Sequence, residues 1–362
     1  MSLTRFLLAW RTTPLHDREV VDALVDPAHA GSPPSAELSA ALRQWPGTYY
    51  WSNETDGRHL VLTRPTHKAR EAWTTHALLF VGVLLTTTLS GAVVAGALPS
   101  DPRDWRPDAL LGAFPLGLSF SLPLLAILLC HELGHYLTAL RYQLNVSPPY
   151  FIPGPPAPWA IGTFGAFIRL RTIVNDRRQL LDVGAAGPIA GFVVALPILW
   201  IGLAHSHGIT DAPIRGMVAP WGPGVMALGD SAITWLVRRL TQGDTATIML
   251  HPMALAGWFG MFVTMLNLLP MAQLDGGHIV FAATTRWHQR IARAFWVVVM
   301  VLGWFWVGWL LWGFIVLVVS RGQLRHPPVL DAYRPLPRSR RWVLWASLLL
   351  FLLTFAPAPF RS

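Results

Sequence analysis

Leu116-Gly117-Leu118-Ser119-Phe120-Ser121-Leu122-Pro123-Leu124-Leu125-Ala126-Ile127-Leu128-Leu129-Cys130-His131-Glu132-Leu133-Gly134-His135 opens an apolar run that continues to about Tyr142. The run is long enough to cross a bilayer, which takes about 20 residues, and two histidines and a glutamate lie near its end. His131 and His135 are spaced i, i+4, so a helix puts both imidazoles on one face. Glu132 is the only Glu after position 71. A carboxylate inside a stretch this apolar is costly unless paired or solvated, which makes it a functional candidate. Two nitrogen ligands with a carboxylate base beside them are how a helix presents itself to zinc.

Composition extends the reading to the whole chain. Of 362 residues, 53% are hydrophobic and 13% are charged, with mean hydropathy +0.42; soluble proteins carry about 25% charged residues. This predicts a polytopic α-helical membrane protein. The net charge of +9 would suggest nucleic acid in a soluble chain. Here the arginines cluster between apolar runs, so the positive-inside rule accounts for them and no nucleic-acid partner is expected. Cys130, the single cysteine, permits no intramolecular disulfide and says little about redox compartment. No secretory signal is evident in the first residues.

The apolar runs are His76 to Leu98, about Leu116 to Tyr142, Val183 to Ala204, Pro252 to Met271, Ile291 to Ser320 and Trp342 to Phe355. The run from 291 to 320 is long for one span and short for two. Basic residues orient them: Arg58, Arg64, Lys68 and Arg70 precede the first, Arg141, Arg169, Arg171, Arg177 and Arg178 follow the second, and 321–341 is basic again. These expectations give about six to seven transmembrane helices, with 291–320 a tight hairpin of two short passes and 205–250 an external loop. The N-terminus is expected in the cytoplasm of a bacterium, with the chain in the inner membrane. Residues 1–72 form a small cytoplasmic α+β segment in which Thr48 to Trp51 and His59 to Leu62 make a hairpin. Residues 73–322 form the transmembrane core, and 323–362 a basic linker and final helix.

Zinc needs a third protein ligand, leaving its fourth position for water. Asp275 is the best candidate, just past the fourth run in Asn267-Leu268-Leu269-Pro270-Met271-Ala272-Gln273-Leu274-Asp275-Gly276-Gly277. Pro270 breaks the helix and the glycines permit a turn back toward the metal; His278 is the alternative ligand. Asp182 reads as a solvated helix start. Glu132 is placed as general base and acid. Pro148 to Pro158 excludes helix and central strand, and the following Gly162-Thr163-Phe164-Gly165-Ala166-Phe167 reads either as a strand or hairpin at the membrane surface or as an ordinary loop. As a strand it suits pairing with an extended substrate. Asn267 either donates to the substrate backbone or oxyanion or makes an interhelical hydrogen bond.

Together, the His-Glu-x-x-His helix, the Asn-x-x-Pro-x-x-x-Leu-Asp-Gly-Gly segment and their order resemble the site-2 protease family of intramembrane zinc metalloproteases. The stretch from Tyr150 to Ala190, with Ala186-Gly187-Pro188-Ile189-Ala190-Gly191, is similar to the bacterial and chloroplast branches, and the resemblance covers about 75–330. A bacterial member without an evident PDZ domain is expected. The resemblance implies a zinc metalloendopeptidase that cleaves transmembrane protein substrates in the lipid bilayer, in regulated intramembrane proteolysis or removal of signal-peptide remnants. It implies one Zn2+ per chain on His131, His135 and Asp275, Glu132 as base, and substrate contacts from Asn267, Gly162, Thr163, Phe164 and Gly165. With neither a PDZ nor a nucleotide-sensing domain in evidence, residues 1–72 are the expected place for a regulatory partner. The competing reading is an inactive or transport-type relative that binds zinc without proteolysis.

Overall fold

Runs of unbroken apolar sequence have nowhere to satisfy their backbone except within themselves, and here they coil into helices. In the computed structural model, which describes residues 3–14, 18–65, 71–171, 174–209, 215–221, 224–327, 329, 331 and 335–361, the chain divides into two compact units. Lys68 and Arg70, counted above for orientation, lie outside the described residues.

The first unit comprises Met1–Glu71 with Ala139–Ser147 and Leu170–Thr172. Strands β1 (Leu7–Pro14) and β2 (Arg18–Val25), helix α1 (Ala36–Arg43), and strands β3 (Thr48–Glu54) and β4 (Gly57–Pro65) follow in order. The sheet runs β1-β2-β4-β3, antiparallel throughout. The expected β3–β4 hairpin is present, closed between Glu54 and Gly57. Leu38 and Leu42 of α1 pack with Leu60 and Leu62 of β4 and with Phe6, and the Ser35 hydroxyl caps the helix at Leu38 N–H.

On this sheet His59 Nδ1 lies 2.8 Å from Asp22 Oδ1, and Nε2 lies 3.1 Å from Asp56 Oδ1. The hydrogen bond to Asp22, with the charges of both carboxylates, holds the imidazole pKa above its ordinary 6.5. A pKa raised on folding stabilises the fold fully below the unfolded value, and that contribution fades as pH rises through the folded value. Strands β2 and β4 are therefore expected to exchange amide hydrogens more slowly at about pH 6 than at about pH 8, after correction for intrinsic rates. Asp22→Asn should shrink the difference, leaving the smaller part that Asp56 supplies; equal protection at both pH values in the unsubstituted chain would refute the linkage.

The second unit holds the long helices α2 (Trp73–Val94), α3 (Pro107–Arg141) and α4 (Arg177–Ala204). With 22, 35 and 28 residues, they are long and apolar enough to cross a membrane and make the chain a membrane protein. Between α3 and α4 lie β5 (Tyr150–Pro153) and β6 (Thr163–Phe167), an antiparallel pair. The strand reading of 162–167 thus holds over the loop, and the proline-rich stretch contributes β5 to a sheet with no central strand. Phe151 packs edge-on against Phe80 of α2, and Tyr150 stacks on Phe167.

After α4 come β7 (His207–Gly208), β8 (Gly216–Trp221), β9 (Gly224–Leu228), α5 (Ala232–Gln242), β10 (Thr247–Met249), α6 (Pro252–Leu268), α7 (Asp275–Ala283), α8 (His288–Leu302), α9 (Gly308–Val319), α10 (Arg341–Thr354) and β11 (Phe360–Arg361). Residues 205–250 are therefore not a loop. Their strands join β11 in a sheet ordered β11-β9-β8-β10-β7, with β8 and β10 parallel. Met217, Ala219, Leu228 and Ile248 of this sheet share a core with Leu255 and Trp258 of α6 and with Leu199 and Leu203 of α4. The 291–320 run breaks between α8 and α9, so it forms two short helices. Asp182 is inside α4 and paired with Arg340, Nε to Oδ1 2.8 Å; it is an ion-paired helix residue, not a solvated start.

Candidate metal centre

Helix α3 delivers three polar side chains to one buried point. His131, Glu132 and His135 are 4%, 6% and 7% exposed. Opposite them, α6 stops at Leu268, as Pro270 requires, and the chain turns through Met271–Leu274 to restart as α7. Asp275 is the first residue of α7, where a carboxylate suits the helix N-terminus. There is no room for a side chain at the start of α7 beside Asp275, since a Cβ on Gly276 would stand 2.0 Å from Leu268 O.

Asp275 Oδ2 lies 3.3 Å from His131 Nε2 and 3.3 Å from His135 Nε2. The two histidine nitrogens are 3.2 Å apart. A tetrahedral ion with bonds of 2.0–2.1 Å has ligand-to-ligand edges of about 3.3 Å, so the triangle fits zinc in size and in donor type. His135 Nδ1–H donates to Val183 O at 2.7 Å, which fixes the tautomer that leaves Nε2 free as a ligand. His278 is not in this triangle; its Nδ1 meets His326 Nε2 at 2.6 Å.

The other expected residues divide. The Asn267 amide nitrogen lies 3.3 Å from His131 Nε2, an α6-to-α3 contact at the edge of the triangle. Glu132 accepts a hydrogen bond from the Ile168 backbone N–H, so the chain leaving β6 abuts the carboxylate. Thr163 Oγ1 bonds to Ile152 O within the hairpin, and Gly162 and Gly165 have φ of +87° and +101°. Phe164 is 69% exposed. Thr163, Phe164 and Gly165 lie in the strand upstream of Ile168, and Gly162 immediately precedes it.

Helix α4 contributes what the motif reading missed. A Cβ on Gly187 would lie 2.0 Å from His135 Nε2, and one on Gly191 would lie 3.1 Å from His131 Nδ1. The imidazoles occupy the space those side chains would fill. At the start of α4, Arg177 donates to Ala282 O at 2.7 Å and Ala283 O at 2.9 Å, clasping the end of the short helix whose first residue is Asp275. The spacing Gly184-x-x-Gly187-x-x-x-Gly191 was the available signal: it clears one helix face.

Residues 119–307, more than half of the chain, match peptidase family M50, the site-2 protease family; the chain belongs to it. Over 192 residues it is 35% identical to the probable zinc metalloprotease EGY1, chloroplastic, of Arabidopsis thaliana, covering 51% of this chain and 33% of that protein. Its identity to the rice (Oryza sativa subsp. japonica) protein of the same name is 33% over 192 residues, 51% of this chain and 32% of that one. With the Arabidopsis probable zinc metalloprotease EGY2, chloroplastic, it is 33% over 196 residues, 52% and 30% of the two chains. The chain thus spans about a third of the length of these curated relatives. No solved structure matches it. The family implies zinc, and the donor set fits. These relatives are chloroplastic plant proteins, so the expectation of a bacterial branch is not borne out. Nothing in the fold or the relatives supports a bacterial inner membrane or a cytoplasmic N-terminus.

Proposed function

We propose that this chain is a zinc-dependent endopeptidase that hydrolyses peptide bonds within transmembrane segments of membrane proteins, the chemistry of regulated intramembrane proteolysis and of clearing signal-peptide remnants. The observation that carries this is a zinc-sized triangle of His131, His135 and Asp275 beside a buried carboxylate, on a helix apolar enough to span a bilayer. Bound there, zinc supplies a Lewis acid and brings the pKa of water toward about 7. Glu132 takes the proton of the attacking water and passes it to the leaving nitrogen, held in place by the Ile168 N–H. The Asn267 amide is placed to donate to the developing oxyanion. The substrate must be extended, because a helix ties up its carbonyls in i→i−4 bonds. The Thr163–Phe167 strand, with Gly162, Thr163, Phe164 and Gly165, offers an edge for that strand to join.

In this reading residues 73–322 carry the chemistry in contact with lipid, 323–362 add a basic linker and the last helix, and 1–72 receive a regulatory partner. Helices α2, α3, α4, α6, α8, α9 and α10 make six to seven passes, with α8 and α9 as a hairpin. The test is metal and cleavage together, on the full chain in proteoliposomes with a panel of single-span membrane proteins. Wild type should cleave at least one, lose this with a zinc chelator and regain it with zinc. His131→Ala and Asp275→Ala should each lose one zinc equivalent. Metal content unchanged in both variants would end the reading.

Arg177 acts on this site through α7. Arg177→Ala is expected to weaken zinc binding by about 10-fold, at the low end for groups that orient ligands, and Arg177→Lys to recover part of it. Chelator competition measures this, and an unchanged affinity in the Ala variant would show that the clasp does not position Asp275.

A further inference from the structure

Three histidines outside the triangle gather from three separate elements. His278 is in α7, His288 opens α8, and His326 lies in the segment between α9 and α10. Two of them flank Phe281: its ring stacks on His326 with centres 4.2 Å apart and meets His288 edge-on at 5.6 Å. His278 and His326 ring centres are 4.8 Å apart, and those of His288 and His326 are 5.8 Å apart. Two imidazoles on one ion with bonds of 2.0–2.1 Å put their ring centres about 5 Å apart; the ligand pair His131 and His135 stands at 4.9 Å.

Hydrogen bonding sets which nitrogens are available. His326 Nδ1 is 2.6 Å from Pro327 O, so Nδ1 carries the proton and Nε2 presents a lone pair. This is the arrangement that orients His135 through Val183, and it is the usual outer support of a metal-bound imidazole. His326 Nε2 faces His278 Nδ1 at 2.6 Å. His288 is 2% exposed, and its Nε2 has no hydrogen-bond partner. Buried polar groups are rarely left so, and each such case asks for a missing partner.

We propose that His278, His288 and His326 form a second cation site, for a divalent transition metal of the class that prefers imidazole, such as zinc, cobalt or nickel, and not for magnesium or calcium. His278 and His326 are the near pair, their facing nitrogens opening from the hydrogen-bonded 2.6 Å to about 3.3 Å as an ion replaces the proton between them, and His288 completes the set by a side-chain rotation that brings Nε2 toward them. On binding, His278 shifts its proton from Nδ1 to Nε2, so no proton is lost. The ion is additional to the one held by His131, His135 and Asp275. It would tie the segment around His326 to α7, the helix that begins with Asp275.

The test is cobalt titration of the full chain in detergent, read by visible absorption and equilibrium dialysis. His131→Ala removes the first site, so this variant should still bind one cobalt, unaffected by millimolar magnesium. Adding His326→Gln should weaken that binding by about 10-fold or more. Should His131→Ala not fold, wild type against His326→Gln alone asks the same question, with two ions expected to fall to one. Cobalt binding that is absent from His131→Ala, or unchanged by His326→Gln in either background, would overturn the proposal and leave the trio as a hydrogen-bonded packing cluster. Loss of one ion in His326→Gln while His131→Ala keeps both would instead overturn the triangle and leave this site standing.

Discussion

Glu132→Gln is expected to keep every zinc ion of the wild type and to lose cleavage by about 10²–10⁴-fold, the usual weight of a positioned acid–base group. The substitution preserves shape and the hydrogen bond from Ile168 N–H, because the amide oxygen still accepts. What it removes is the capacity to take a proton from water and return it to nitrogen. Glu132 is not part of the triangle, so the metal readout and the activity readout must separate. A variant that keeps both would move the chain to the class of relatives that bind zinc without proteolysis. A variant that loses both would mean Glu132 acts as a ligand.

The second large effect comes from a residue with no functional group. Gly187→Ala sets a methyl carbon 2.0 Å from His135 Nε2, far inside van der Waals contact. Either the imidazole leaves its place or α4 moves away from α3. Both open the triangle, and zinc affinity is expected to fall by about 10–100-fold, as when groups around a metal site are disturbed. A thermal transition close to wild type, together with lost zinc, would locate the damage at the site. Unchanged zinc binding would mean that α4 yields without cost, and the socket reading would fail.

Much of this site was legible because polar residues are conspicuous in apolar sequence. His131, Glu132 and His135 declared themselves by spacing, and Asp275 by the proline and glycines around it. The contribution of α4 was hidden for the opposite reason: Gly187 and Gly191 sit in a run that already made sense as a membrane span, where small residues are common. Arg177 looked like an orienting charge, and its bonds to Ala282 and Ala283 cross about a hundred residues of sequence. The sheet within 205–250 escaped for another reason. Met217, Val218 and Ala219 are all buried, so β8 lacks the alternation that marks a half-exposed strand, and β10 has only three residues. In the first unit, the β3–β4 hairpin was visible from its turn, whereas the β1–β2 pair was not read at all.

The position of the motif along α3 decides what a cut would leave behind. At 1.5 Å per residue, His131 stands about 15 Å from the end of the helix at Arg141 and about 36 Å from its start at Pro107. If the substrate is a membrane-spanning segment lying alongside α3, as proposed, a cut level with His131 would divide it unequally. Under the proposed intramembrane cleavage, one fragment would keep most of the greasy stretch and stay anchored in lipid, and the other would carry fewer apolar residues and leave the bilayer more readily. Scission at this depth would therefore act as a release of cargo from one face of the bilayer, with direction built into the products before any partner is involved.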